Sequence, residues 1–543
     1  MVGASGLSAT YSNCQRDVVE HVARGRTASV GKAIWSPLFG KVIYGRLAAA
    51  RYFDKGKLAR GAVLKERDIV ILFESMFCVV GGALILCTLA EAFELWELLT
   101  ASPSDSAGPR GASHPPLVSL HVPICSEPPE VVAATLRALS RLDYDAFEVL
   151  VIDNNTQDEL LWRPVEALCR ELGSRFRFFH LESWPGFKAG ALNFALQQTA
   201  VDATLISIVD ADFEVMPGFL TELVGNFDDE RVVFVQTPQD YREWQSRTFT
   251  RACYWEYWQV FSVSMNLRNR QNAILLHGTM SIVRKDAVIR AGGWAEWCLT
   301  EDSELGLRLL SDGACASYVA KTYGRGLVPF TFRDYKRQRR RWVIGGVQQL
   351  RYHAATFIFW RSRMGGMSAT QKIHYLRWWL HWSRDGIVVA SVPVSFAASI
   401  AALGGVPELG KVFAPLAIGL LCVLSYLILR AIIVYRFYLS VSWRDALGAM
   451  LANCSLTWTV GCAWLAGFAS KTHVFNRTPK RPHGEPGWVY AAQAEAAVGL
   501  ASLFGALLIC ARFGTAGLWA IVALCTYSAF FLPAMWMAWL ARR

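Results

Sequence analysis

None of the 13 cysteines falls into a Cys-x-x-Cys pair or a Cys/His ligand spacing. That excludes a zinc ribbon and offers no disulfide frame; several lie in apolar runs, as small reduced core residues do. Charge is also scarce, 18% of the chain against about 25% in soluble proteins. The first 65 residues lack the early apolar core of a cleavable signal. A second basic face to match the run "YKRQRRRW" is missing too, which leaves a nucleic-acid binder poorly supported. What abounds is apolar and aromatic: 53% hydrophobic residues and 21 tryptophans in 543 positions, with a net charge of +11. That length accommodates two or three domain-sized units, and that charge suits a nucleotide or phospholipid head groups.

The apolar residues are concentrated. Ile69 to Trp96 forms the first long run, and polar, strand-rich sequence follows from Pro115 to Gly345. Then come Gly386–Leu403, Val412–Val434, Tyr490–Ala511 and Ala516–Leu540, each long enough to span a bilayer. The expected organisation is a basic segment at 1–66, a membrane helix at 67–98 and a globular domain at 115–345. Interfacial helices at 346–385 and two spans within 386–434 follow, then an interfacial helix at 442–468, a loop at 469–488 and two spans within 489–540.

Ala446–Phe468 is long enough to cross as well. If it crossed, the loop carrying Lys471, Arg477, Lys480 and Arg481 would lie outside, against the positive-inside rule. Laid along the inner interface, it leaves every basic loop after the domain cytoplasmic. The expectation is a multi-pass protein of the inner (plasma) membrane with a cytoplasmic domain. The basic residues 1–67 resist this logic: one span after them puts the domain outside, unless the rule fails or a further helix precedes.

Within the domain, Val118–Pro123 and Val149–Asp153 are apolar runs ending in polar residues, with the helical stripe "EPPEVVAATLRALSRLDY" between them. Alternating strands and helices predict a mostly parallel sheet with its ligand at the carboxyl ends of the strands. Asp153, Asp210 and Asp212 fall at such ends. "DAD" is either an ordinary turn or a pair of carboxylates for a divalent cation on a diphosphate. "LTEDSELGLRLL" is either a helix start capped by Thr300 or a site for a general base, Asp302. "GFKAGALNFAL" sets Gly186, Lys188 and Gly190 at a helix start, where a phosphate edge or a plain helix boundary would both fit. Trp294 and Trp297 in "GGWAEW" serve either the core or a sugar ring.

Asp153, Lys188, the Asp-x-Asp at 210–212, Thr300-Glu301-Asp302 and Gln338-x-x-Arg341-Trp342 occur in an order and spacing that resemble the processive family 2 glycosyltransferases. That group includes the cellulose, chitin and hyaluronan synthases. Phe475, Thr478 and Lys480 in "VFNRTPK" are similar to its gating loop. "VIDNNT", "FVQTPQDYR" and "HGTMSIVRKDAV" look most like bacterial β-1,3-type glucan synthases; cellulose synthases carry a second Asp where this chain has Asn154.

The resemblance implies an α/β GT-A fold (Rossmann-like) inserted in a helical transmembrane bundle, and inverting transfer from a UDP-sugar, UDP-glucose favoured, to a growing glucan chain. In that reading Glu127, Asp153, Lys188, Asp210 and Arg341 bind the donor, and Asp210 and Asp212 hold Mg²⁺ or Mn²⁺. Asp302 is the base, and Trp294, Thr300, Glu301, Gln338 and Trp342 bind the acceptor. Arg337, Arg339 and Arg340 remain as basic neighbours of the membrane. Trp378, Trp379 and Trp382 are candidates for the mouth of an export channel or for an interfacial belt. The departure is Cys125, where the family carries a tyrosine that packs on uracil. The alternatives are a β-1,4-linked glucan or mannan synthase, and transfer of one sugar to a lipid acceptor.

Overall fold

The computed structural model describes residues 66–101, 108–112, 114–358, 366–469 and 487–542. The basic N-terminal segment through Lys65 and the gating-loop candidates Phe475, Thr478 and Lys480 lie outside these described residues.

The first element among the described residues, α1 (Glu66–Thr100), is a single long apolar helix. The domain follows with β1 (Val118–Ile124), α2 (Pro129–Leu139), β2 (Phe147–Asn154), α3 (Glu159–Leu172), β3 (Phe176–Leu181), α4 (Phe187–Gln198) and β4 (Leu205–Ile208). Helix α2 begins at Pro129, where a missing N–H costs nothing, and buries Val132, Leu136 and Leu139 on one stripe. Strands β1 and β4 are buried on both faces, so Ser119, His121 and Ser207 are enclosed together with their apolar neighbours.

After β4 come β5 (Glu214–Val215), β6 (Val232–Gln236), β7 (Asp240–Arg242), α5 (Thr248–Gln259), β8 (Ser281–Arg284), α6 (Glu301–Ser311), β9 (Cys315–Tyr318) and β10 (Gly324–Leu327). The main sheet has the order β3-β2-β1-β4-β8-β6-β9, and β5-β10-β7 form a small second sheet. Strands β3, β2, β1 and β4 are parallel, as are β6 and β9; β8 runs antiparallel to both its neighbours. Strand order reverses between β1 and β4, so their carboxyl ends open a crevice there.

Helix α7 (Phe332–Ile358) carries the basic run out of the domain toward α8 (Ala369–Leu403), α9 (Ala414–Arg430), α10 (Trp443–Ser455), α11 (Thr457–Ala469), α12 (Gln493–Phe513), α13 (Leu518–Phe531) and α14 (Pro533–Arg542). Five stretches among the described residues are long and apolar enough to cross a membrane: Glu66–Thr100, Ala369–Leu403, Pro407–Tyr438, Trp443–Ala469 and Gln493–Arg542. Two differ in outline from the sequence expectation. Helix α8 runs unbroken through the expected boundary at 385, starting from a Ser368/Gln371 capping box. Its polar half is sheltered by α1: Arg384 pairs with Glu91 at 2.8 Å, and Arg377 with Glu94 at 3.3 Å and Glu97 at 2.8 Å. The stretch Trp443–Ala469 breaks at Leu456 into α10 and α11.

Domain and helices share one core. Ile206, Leu192 and Phe234 belong to the same buried cluster as Tyr335, Trp379, Trp382, Met537 and Ala538. Arg251 of α5 pairs with Asp445 of α10 at 2.6 Å.

Candidate active site

The crevice between β1 and β4 deepens into a cavity of about 410 Å³. Its walls are Pro123 to Cys125 with Glu127, Asn154 and Asn155, Phe187 and Lys188, Asp210 and Asp212, Thr300 to Asp302, and Gln338, Arg341 and Trp342. Each group arrives from a different element: the ends of β1, β2 and β4, the starts of α4 and α6, and the first turns of α7.

Asp210 and Asp212 stand on the turn after β4. Thr279 Oγ1 accepts from the Asp210 N–H at 3.0 Å, and Asp212 Oδ2 accepts from the Leu327 N–H at 2.9 Å. Lys188 Nζ donates to Asp210 Oδ1 at 2.6 Å and stands 3.9 Å from Glu301 Oε1. Gly186 (φ 79°) and Phe187 (φ 51°) turn the chain so that α4 starts at the cavity. Asp302 accepts from the Ser303 N–H at 2.7 Å. Burial pushes its carboxyl above the usual range, with Lys188 pulling the other way; burial and the Asp302 charge raise Glu301 likewise. Gln349 of α7 donates to Thr300 Oγ1 at 2.8 Å, so the helix that brings Trp342 also braces the start of α6.

Trp342 stacks on Tyr257 with ring centroids 5.4 Å apart, and the Arg339 guanidinium lies 4.8 Å over the Trp342 ring. Arg339 corrects the sequence expectation. It is 6% exposed and ion-paired to Glu256 at 2.6 Å, a core residue rather than a basic neighbour of the membrane. Arg340 is exposed.

Two candidates stand outside the cavity wall. Asp153 is fully buried and engaged by Thr156 Oγ1 and, at 2.6 Å, by His180 Nδ1. Because Thr156 also takes the Ser126 N–H at 2.7 Å, Asp153 braces the turn after β1, and Asn154 and Asn155 face the cavity instead. Trp294 is 3% exposed in the core, its backbone clamped by Asn193; Trp297 is the exposed one, stacked on Tyr352 at 4.4 Å. Trp378 and Trp382 line the cavity, whereas Trp379 is buried in the core.

Sequence reasoning missed Asn154 and His277 as cavity residues. Asn154 Nδ2 donates to the Phe187 carbonyl at 2.6 Å, which leaves its Oδ1 buried without a partner among the described residues; His277 Nε2 is in the same state. Burial pushes the His277 imidazole down to about 3, so it is neutral. The only signal was their place in "VIDNNT" and "HGTM".

Two carboxylates on one turn at the cavity wall fit a hard divalent cation that takes its other ligands from phosphate and water. That Asp210 already holds a cationic group accords with this fit.

The domain has the GT-A glycosyltransferase fold, and residues 115–345 match the family described as Glycosyltransferase like family 2. Among curated proteins, the chain is 26% identical over 264 residues to the probable glucomannan 4-β-mannosyltransferase 2 of Oryza sativa subsp. japonica, covering 47% of this chain and 45% of that protein. It is 28% identical over 243 residues to glucomannan 4-β-mannosyltransferase 2 of Arabidopsis thaliana, covering 43% and 45%. The chain thus spans about half the length of the curated relatives it matches. Among solved structures, the mannosyltransferase PcManGT of Pyrobaculum calidifontis, in complex with GDP-Man and Mn²⁺, is 19% identical with a TM-score of 0.47, covering 72% of this chain and 99% of that one.

Proposed function

We propose that this protein is a membrane-embedded, inverting glycosyltransferase that extends a polysaccharide from a nucleotide-sugar, with the domain on the cytoplasmic side of the plasma membrane. The observation that carries the reading is one cavity lined at once by Lys188, Asp210, Asp212, Asp302, Arg341 and Trp342. The names of the relatives favour a β-1,4-linked mannan or glucomannan built from a nucleotide-linked mannose. They favour it over the β-1,3-glucan from UDP-glucose that the motif wording suggests.

In this reading Asp210 and Asp212 would hold Mg²⁺ or Mn²⁺, and that ion would supply positive charge to the diphosphate. Arg341 adds its fixed fork of donors to the same oxygens. Asp302, unprotonated, takes the proton of the acceptor hydroxyl as that oxygen attacks the anomeric carbon from the face opposite the nucleotide. Trp342, held by Tyr257 and Arg339, offers a flat surface to the terminal sugar. The donor base meets Cys125, Asn154 and Asn155. Asp153 acts from behind them, as a positioning residue.

Export through the helices draws support from a second cavity, about 70 Å³, walled by α1, α8 and α9 on one side and by Glu256, Gln259 and Arg339 of α5 and α7 on the other. Trp378 and Trp382 belong to the walls of both cavities.

The test is incorporation of label from GDP-mannose and, separately, UDP-glucose by membrane vesicles with Mn²⁺, wild type beside Asp302→Asn. Polymer made only by wild type and cut by a β-1,4-mannanase is the expected product. Polymer cut by a β-1,3-glucanase would restore the glucan reading, and label confined to lipid would remove polymerisation altogether.

A further inference from the structure

Lys188 bridges the two acidic motifs of the cavity. Its Nζ is 2.6 Å from Asp210 Oδ1 and 3.9 Å from Glu301 Oε1, so one ammonium joins the turn after β4 to the start of α6. The lysine is delivered by a rigid turn. Gly186 and Phe187 both adopt positive φ, and a Cβ on Gly190 would collide with the Pro185 carbonyl. The Asp-x-Asp turn therefore carries its own cation before any ligand arrives.

We propose that Lys188 is a built-in counter-cation that holds Asp210 until a divalent metal and a nucleotide arrive together, and then passes to Glu301 and the diphosphate. This rests on the reading of the cavity as a metal-dependent nucleotide-sugar site. A metal ion arriving alone must push an ammonium off Asp210 and leave two cations close together in a half-buried cavity. A metal bound to a nucleoside diphosphate brings anionic oxygens that satisfy both. Metal and nucleotide binding are thereby coupled through one side chain, and the coupling is reciprocal.

The experiment is Mn²⁺ titration of the full chain in lipid nanodiscs, followed by electron paramagnetic resonance, with no nucleotide, with UDP and with GDP. Wild type is compared with Lys188→Met, Lys188→Gln and the charge-preserving Lys188→Arg. Mn²⁺ alone should bind the Met and Gln forms about tenfold more tightly than wild type. The tightening of Mn²⁺ by nucleotide, strong in wild type and Lys188→Arg, should shrink by the same factor. Equal or weaker binding of Mn²⁺ alone by both neutral variants would overturn the proposal, even if Mn²⁺ with nucleotide still binds. Wild type that takes up no Mn²⁺ under any of the three conditions would overturn the metal-dependent reading, and the proposal with it.

Discussion

Gly278 lies so close to Asp302 that a Cβ on it would stand 2.6 Å from the carboxylate Oδ2. The glycine also has φ 79°, a conformation costly for any other residue. The loop before β8 thus fixes the carboxylate from one side while the first turn of α6 fixes it from the other. Gly278→Ala should lower the transfer rate about 100-fold, the cost of moving a reacting group by roughly an ångström. Nucleotide binding measured by calorimetry should stay within about twofold of wild type.

As the proposed base, Asp302 has to be ionised to accept a proton, so the rate should fall as pH drops through its pKa. Burial lifts that pKa above an ordinary aspartate's, and the Lys188 charge restrains the lift. The acidic limb of the kcat/KM profile should therefore lie above the usual carboxylate range, and Lys188→Met should move it to still higher pH. A limb that stays put in the variant would show that another group sets it.

Arg339 and Glu256 form an ion pair with both side chains almost fully buried. Arg339→Met strands the glutamate and should cost about 3–5 kcal/mol of stability. Adding Glu256→Leu should recover part of that loss, because the double variant leaves no unpaired charge. Thermal unfolding followed by tryptophan fluorescence reads both.

Chelation of divalent metal should abolish transfer by at least about 100-fold, and Mn²⁺ or Mg²⁺ should restore it. Full activity after exhaustive chelation would take Asp210 and Asp212 out of a metal role.

Much of this site is legible in the chain because its acids stand where strands end and helices begin, and those boundaries leave local signals. Lys188, Asp210, Asp212 and Asp302 reach one cavity for that reason. What the sequence hides depends on partners far away. Nothing near Arg339 announces Glu256, 83 residues distant, so a buried arginine reads as one more surface base. Glu91 meets Arg384 across 293 residues, which hydropathy along one helix cannot register. Trp294 and Trp297 are alike in composition and spacing, and only Asn193, from another helix, decides which one turns inward. Asp153 ends its strand as expected, but Thr156 and His180 claim its carboxylate.

The shared core has a consequence for biogenesis. Met537 and Ala538 of α14 belong to the same buried cluster as Ile206 beneath the catalytic turn, and Arg247 donates to the Ala541 carbonyl. A nascent chain arrested before residue 533 already owns every acid of the site but lacks one wall of the core that holds them. On the proposed reading, transfer then waits for α14 to complete that wall.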